Sequence, residues 1–300
     1  MERPRIGIVG LGSMGSRYLK YFSSLNGIDV LAYDPKKLKD DRGYEYEVEE
    51  NPKVTFLESY SDLLDMNNTV LVIASPAGTH MELLKQAREI NPTVSVLVEK
   101  PLSDKPISGE DVTWCLMQRG LISVGYNWRF HDYAKHLVMV KPFIRDITLS
   151  SSQDMRQWPG EDYCDPIREF SHEFDMLRYL TTDPVFTKVG YSTSGRYIVE
   201  GIHQNGNWRV RIDPYHNPIR KWIRLTMIDG SVIKYSWDRS RDAIERMYRN
   251  QARELLEATV NNDDVDSLTC SLNDGLRTTL LVDEIVEHMA KEEVGKGTVM

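Results

Sequence analysis

Glu99, Lys100 and Pro101 close a short apolar run in the stretch VSVLVEKP, Val94–Pro101. In an open parallel sheet, ligands collect just beyond the carboxyl ends of the strands. A strand that delivers a carboxylate, an ammonium and a rigid turn to that edge sets chemistry where a cofactor and a second molecule could meet, although a salt-bridged loop would use the same residues. Near the start of the chain, Gly10, Gly12 and Gly15 form G-x-G-x-x-G, with Ser13 and Met14 inside the turn. A strand pattern precedes it and a helix pattern follows, which is the context of a dinucleotide-binding turn. Gly10 allows the tight bend, Gly12 removes a side chain where a pyrophosphate approaches the backbone, and Gly15 lets helix and strand pack closely. The helix start then offers N–H groups and a positive dipole end to the phosphates. Asp34 stands 19 positions after Gly15, where an acid accepts hydrogen bonds from ribose hydroxyls and repels a 2′-phosphate. NAD is therefore the expected cofactor, with NADP left open by Lys36 and Lys37. The loop Ser75-Pro76-Ala77-Gly78-Thr79-His80 is a further candidate on the same edge. Ser75, Pro76 and His80 could border the cofactor, or His80 could make a local hydrogen bond at a helix start.

These groups need a scaffold, and hydrophobic periodicity supplies one. Arg5–Gly10 reads as a buried strand. The next helix carries Met14, Tyr18, Leu19, Phe22 and Leu25 on one side and ends at Asn26 and Gly27. Val30–Tyr33 and Val54–Leu57 read as the second and third strands, separated by a charged excursion over Asp40–Lys53 in which Tyr44–Val48 could pair as an edge strand. Ser61 is expected to cap a short helix bearing Leu63 and Leu64. Thr69–Ala74 is a near-continuous apolar run, as in a strand covered on both faces, and Thr79 can cap the helix after it. Ser108 and Asp111 form a capping-box-like pair before a helix with Val112, Cys115 and Leu116, and Leu121–Tyr126 is the next strand. Alternation over this length is the doubly wound α/β pattern. From Asn127 the grammar changes. A helix is expected from there to about Val140, then a strand over Asp146–Ser152. Asn205-Gly206 and Asp229-Gly230 sit between β-rich runs and read as hairpins, with Arg209–Ile212, Trp222–Met227 and Val232–Trp237 as strands. A helix with Ile244, Met247, Tyr248, Ala252, Leu255 and Leu256 follows, and a last one over about Asn273–Ala290. The boundary is placed at 1–125 for a dinucleotide-binding domain and 126–300 for a second, with the final helix able to pack back on the first.

Composition narrows the function class. A formal charge of −8 argues against nucleic acid, whose phosphates need clustered Lys and Arg. No run of 18 apolar residues points to a membrane span, and the strand pattern so close to Met1 leaves no room for a signal peptide. Three scattered cysteines, Cys115, Cys164 and Cys270, fit a reducing, cytoplasmic setting. Neither they nor the seven histidines show metal-ligand spacing, so no metal is expected.

Gly10–Gly15, Asp34, the Ser75–His80 loop, Glu99-Lys100-Pro101 and Tyr126-Asn127-Trp128-Arg129-Phe130-His131 occur in the order seen in the Gfo/Idh/MocA family of nicotinamide-dependent sugar oxidoreductases, which this chain resembles over nearly its whole length. Ser171-His172-Glu173-Phe174-Asp175 resembles the S-H-E-x-D helix start of one branch. The resemblance implies an N-terminal Rossmann domain with a doubly wound parallel sheet, and a C-terminal α/β domain with an open, mostly antiparallel sheet that often forms a homo-oligomer interface, as dimer or tetramer. Trp158-Pro159-Gly160-Glu161-Asp162-Tyr163 looks like a shortened form of a segment found in members near amino-sugar and nonulosonate pathways. Two departures stand out. A G-G-G stretch is usual before the histidine helix, where this chain has only Cys164–Phe170, and many members carry an acid where this one has Arg168, with Glu169 one position later.

On that resemblance the chemistry is hydride transfer between NAD, or NADP, and a secondary alcohol or ketone of a sugar-like substrate. His172 is the candidate base, since imidazole titrates near neutral pH, or a helix histidine bonded locally. Lys100 would hydrogen-bond the substrate oxygen and stabilise developing charge. Asp175 shares a helical face with His172 and could bind a hydroxyl or orient the ring. Glu99 could face the cofactor or pair structurally. Arg129 could hold a substrate anion or tie domains together. Trp158, Asp162, Tyr163 and Glu169 complete the candidate substrate set, Trp158 as packing or as a sugar platform. The alternatives from other classes are an NAD-binding regulator without turnover and, on the same scaffold, an imine or tetrapyrrole reductase, since fold does not fix reaction.

Overall fold

The alternation read in the first part of the chain becomes β1 (Arg5–Val9), α1 (Gly15–Ser24), β2 (Asp29–Tyr33), β3 (Val54–Phe56), α2 (Tyr60–Asp65), β4 (Val70–Ile73), α3 (His80–Ile90), β5 (Ser95–Val98), α4 (Gly109–Met117) and β6 (Ile122–Val124) in a computed structural model. The structure describes residues 3–35, 53–157, 165–192, 195–238 and 240–296. The proposed edge strand Tyr44–Val48 lies outside them, as do Lys36 and Lys37. All six strands run parallel in the order β3-β2-β1-β4-β5-β6. Chain direction across the sheet reverses between β1 and β4, the topological switch point where such sheets bind ligands. Every residue of β4 and β5 is buried, as the unbroken apolar runs require.

The rest of the chain forms α5 (Ala134–Val140), β7 (Ile144–Ser152), α6 (Pro166–Glu169), α7 (Ser171–Leu180), β8 (Val185–Tyr191), β9 (Tyr197–His203), β10 (Gly206–Asp213), β11 (Arg220–Met227), β12 (Val232–Ser236), α8 (Arg241–Asn261) and α9 (Leu272–Lys296). A second six-stranded sheet runs β12-β11-β7-β10-β9-β8. It is antiparallel except at its centre, where β7 and β10 are parallel. Asn205-Gly206 and Asp229-Gly230 join antiparallel neighbours, as hairpin turns should. α7 lies on β7 and β10, and its residues from Ser171 to Leu177 are all buried.

The described residues divide into two units. One draws on Met1–Asp104, Ser108–Phe130 and Arg241–Leu276, the other on Lys105–Ile107, His131–Ser240 and Arg277–Met300. The first unit therefore includes α8, which a boundary at 125/126 assigns to the second domain. The physical cause is α8's apolar stripe. Tyr248, Ala252, Leu255 and Ala258 bury into the cluster of Ile6, Ile8, Tyr18, Phe22, Val70 and Val72. Fully burying one large apolar side chain is worth about 1.5–3 kcal/mol, so this stripe is ample to dock the helix.

Local details also differ from expectation. Ser59, not Ser61, caps α2, accepting from the Asp62 N–H. Thr79 does not cap α3 through its side chain; its hydroxyl donates to the Pro76 carbonyl at 2.8 Å. The helix expected from Asn127 to Val140 is a short 3-10 turn at Asn127–Phe130 followed separately by α5. Ser108 behaves as expected, accepting from the Asp111 N–H at 3.0 Å and donating to its carboxylate at 2.8 Å.

Candidate functional site

In the first unit the candidate groups gather at the carboxyl edge of the parallel sheet, around the ends of β1, β2, β4 and β5. Gly10 leaves β1 with φ +84°, a conformation L side chains rarely adopt. Its N–H donates to the Tyr33 carbonyl at 2.9 Å, joining the turn to the end of β2. The next N–H, of Leu11, donates to Asp34 Oδ2 at 2.6 Å. Asp34 is thus fixed beside the turn. A Cβ on Gly15 would lie 1.8 Å from the Gly10 carbonyl oxygen, whereas a Cβ on Gly12 would meet nothing within 4 Å. The turn is closed beneath and open above Gly12, the cradle a pyrophosphate needs. α1 begins with no acidic residue in its first turn and no side-chain cap, which keeps its positive end for an anion. These residues fit NAD.

The closeness at Gly15 carries a prediction. Overpacking costs about 1–3 kcal/mol, and about 1.4 kcal/mol is tenfold in affinity. Gly15→Ala is expected to weaken NAD binding about ten- to a hundredfold, read by calorimetric titration; unchanged affinity would place the pyrophosphate elsewhere.

Ser75, Pro76 and Thr79 form a bonded loop after β4, with Ser75 Oγ 2.7 Å from Thr79 Oγ1. His80 is 1 % exposed. Its Nδ1 lies 2.8 Å from the Pro101 carbonyl oxygen and its Nε2 2.7 Å from that of Ser75. Both ring nitrogens face backbone carbonyls, to one of which a neutral imidazole donates, so the ring is directed at the backbone around Ser75 and Pro101. Burial pushes its pKa down. Lys100 is half-buried and precedes Pro101 through a cis peptide bond. Its N–H donates to Glu99 Oε2 at 3.2 Å. Glu99, a candidate for the cofactor, is instead buried and turns inward, where Oε1 accepts from the Tyr18 hydroxyl at 2.8 Å. Arg129, a candidate for a substrate anion, is likewise buried. Its guanidinium donates to the Thr269 carbonyl at 2.8 Å and pairs with Asp274 at 3.4 Å, holding the 3-10 turn to the start of α9. Both residues take up the structural pairing that the sequence left open, for one cause: a buried charge is retained only with partners, and the partners lie far off in sequence.

In the second unit, His172 sits in the first turn of α7, 9 % exposed. Asp175 is fully buried on the same helix and accepts from the Thr278 hydroxyl at 3.3 Å. Glu173 is buried and lies 3.8 Å from the Lys221 ammonium. Glu169 ends α6 half-buried. Arg168, the departure noted above, is 3 % exposed in its side chain and paired with Asp283 of α9. Trp158, Asp162 and Tyr163 lie outside the described residues. Sequence reading missed Tyr18 as more than core. The signal available was a phenol on an apolar helical stripe, since a buried tyrosine hydroxyl usually needs a partner.

Among the described residues no group of three or more His, Cys, Asp or Glu is placed to hold a metal ion, and no helix is long and apolar enough to cross a membrane. Cys115 and Cys270 are both buried, and burial pushes the Cys115 thiol up to about 12.

Residues 4–126 match the model of a family described as "Oxidoreductase family, NAD-binding Rossmann fold" (GFO_IDH_MocA). None of the curated proteins matches the sequence. Solved structures do match in fold. A myo-inositol dehydrogenase from Lactobacillus casei in complex with NAD(H) and myo-inositol is 14 % identical, with a TM-score of 0.75 over 96 % of this chain and 94 % of that one. A myo-inositol dehydrogenase from Corynebacterium glutamicum is 15 % identical, with a TM-score of 0.75 over 95 % and 96 %. A UDP-N-acetylglucosamine 3-dehydrogenase from Acidithiobacillus ferrooxidans is 16 % identical, with a TM-score of 0.71 over 95 % and 97 %. At these identities the likeness is one of fold.

Proposed function

We propose that the chain is a Gfo/Idh/MocA-type oxidoreductase, whose family model matches residues 4–126, and that it transfers a hydride between NAD and a secondary alcohol or ketone of a sugar or sugar derivative. The observation that carries this reading is the shared edge: the open glycine turn with Asp34 beside it, and Lys100 at the end of β5 in the same sheet. Similarity in fold to dehydrogenases of inositol and of a nucleotide amino sugar supports a polyhydroxylated ring as substrate.

In this reading the Gly10–Gly15 turn and the start of α1 hold the pyrophosphate, and Asp34 holds the ribose hydroxyls and disfavours a 2′-phosphate. NAD, when bound, supplies the hydride acceptor. Lys100 donates a hydrogen bond to the substrate oxygen and stabilises its negative charge as the O–H proton leaves. His172 takes that proton. Asp175, enclosed and bonded to Thr278, acts on α7 and its histidine rather than on solvent-borne substrate. Self-association through the second sheet belongs to the same proposal: Val185 and Ile202, opposite one another on β8 and β9, are both about half exposed apolar residues. Light scattering of the purified chain tests it.

Absorbance of NADH on adding a panel of polyols, hexoses and amino sugars tests the reaction. The expected result is reduction of NAD, with NADP poorer, by one sugar class. Removing a general base costs about 10²–10⁴ in rate, so His172→Ala is expected to lower kcat by about that factor, with unchanged NAD affinity. Tight NAD binding with no hydride transfer to any of them would favour the regulator instead.

A further inference from the structure

Lys100 carries four rotatable side-chain bonds, so where its ammonium reaches depends on how firmly its backbone is held. The structure holds that backbone on both sides. On the N-terminal side is Glu99, only 4 % exposed. One of its oxygens accepts the Lys100 N–H and the other accepts the hydroxyl of Tyr18, a residue on α1, 81 positions away. A Cβ on Gly125 would stand 2.6 Å from Glu99 Oε2, so the carboxylate sits in the space this glycine leaves at β6's exit. Tyr18 is itself fully buried, its ring edge-on to Tyr248 of α8 with centroids 5.4 Å apart. On the C-terminal side, the Pro101 carbonyl meets His80 Nδ1, while the other ring nitrogen meets the Ser75 carbonyl. Neither Tyr18 nor His80 has a part in the chemistry proposed above.

We propose that Tyr18 and His80 are positioning residues for Lys100. Tyr18 fixes the Lys100 N–H through Glu99, from the same helix whose first turn would hold the pyrophosphate. His80 donates from Nδ1 to the Pro101 carbonyl, and its buried ring fills the space between that turn and the Ser75–Thr79 loop. The turn is thereby mounted on two helices that both begin at the cofactor edge, α1 and α3. This proposal rests on the role given to Lys100 in the reading above. A misplacement of about 1 Å at a reacting group can cost about 100-fold in rate, so losing either mount is expected to cost kcat, not cofactor affinity.

Tyr18→Phe deletes one hydroxyl and keeps the ring packing; His80→Gln keeps a donor and shortens the reach. Amide exchange in the NAD-free chain is the first measurement. Peptides covering residues 99–102 are expected to exchange severalfold faster in each variant, with β4 unchanged. In turnover, each variant is expected to lose tenfold or more in kcat with the KM for NAD within about twofold. Tyr18→Phe should add no further loss in a Lys100→Met background. Wild-type exchange and kcat in the variants, or an undiminished Tyr18→Phe effect without the lysine, would overturn the proposal. A fully active Lys100→Met would instead remove the dehydrogenase reading of Lys100, while the exchange data still decide whether the two side chains hold the turn.

Discussion

Lys100→Met is expected to lower kcat by about 10²–10³ while NAD affinity stays within a few-fold. Methionine keeps much of the lysine stem, so the half-buried position at the end of β5 remains filled. What disappears is the ammonium. In hydride transfer from a secondary alcohol, negative charge grows on the substrate oxygen as its proton departs, and a donor already aimed there stabilises the transition state more than the ground state. The loss should therefore fall on kcat and on kcat/KM for the sugar together. NAD would be anchored by the Gly10–Gly15 turn and Asp34, whose geometry involves β1, β2 and α1 rather than the lysine side chain. Steady-state kinetics beside calorimetric NAD titration separate the two. A variant that turned over at the wild-type rate would leave the Glu99-Lys100-Pro101 turn as structure only. One that lost NAD binding and nothing else would make Lys100 a cofactor ligand.

Features governed by local rules were legible in the sequence. The glycine turn, the apolar runs of β4 and β5, the Ser108–Asp111 cap and the two Gly-containing hairpin turns all follow from residues close together in the chain. What escaped depended on distant partners. The stripe on α8 announced a buried face but not which sheet would bury it. The types of Glu99 and Arg129 left ligand contact and structural pairing both open, because a charge beside a loop looks available. In three dimensions their partners are Tyr18, 81 residues back, and Thr269, 140 residues on. The parallel pairing of β7 with β10 in an otherwise antiparallel sheet had no local signal either, since it joins strands separated by α6, α7, β8 and β9. His80 and Thr79 show a milder form of the same limit. Their position near a helix start was read correctly, but their bonds go to carbonyls of Ser75, Pro101 and Pro76 rather than to the helix.

Asp283→Ala is expected to destabilise the second unit by about 3–5 kcal/mol, the usual cost of stranding one partner of a buried ion pair. Arg168 and Asp283 are 3 % and 15 % exposed in their side chains, so neither charge can turn to water without opening the packing around α6 and α9. Asp283 has a second duty: its other oxygen accepts the Ile107 N–H at 2.8 Å. An alanine therefore leaves both a guanidinium and a backbone donor unsatisfied. Amide exchange of β7 and β10, the central strands of that unit's sheet, reads the loss directly. The pair is not expected to be strongly stabilising in itself, because desolvation offsets much of its attraction. Arg168→Met combined with Asp283→Asn removes both charges but keeps an acceptor for Ile107, and should return protection to within about 1–2 kcal/mol of the natural sequence. That recovery would account for Arg168 as half of a packed pair in the second unit. If the double variant is as damaged as the single one, the guanidinium itself is needed at that position, and a role for it beyond packing has to be sought.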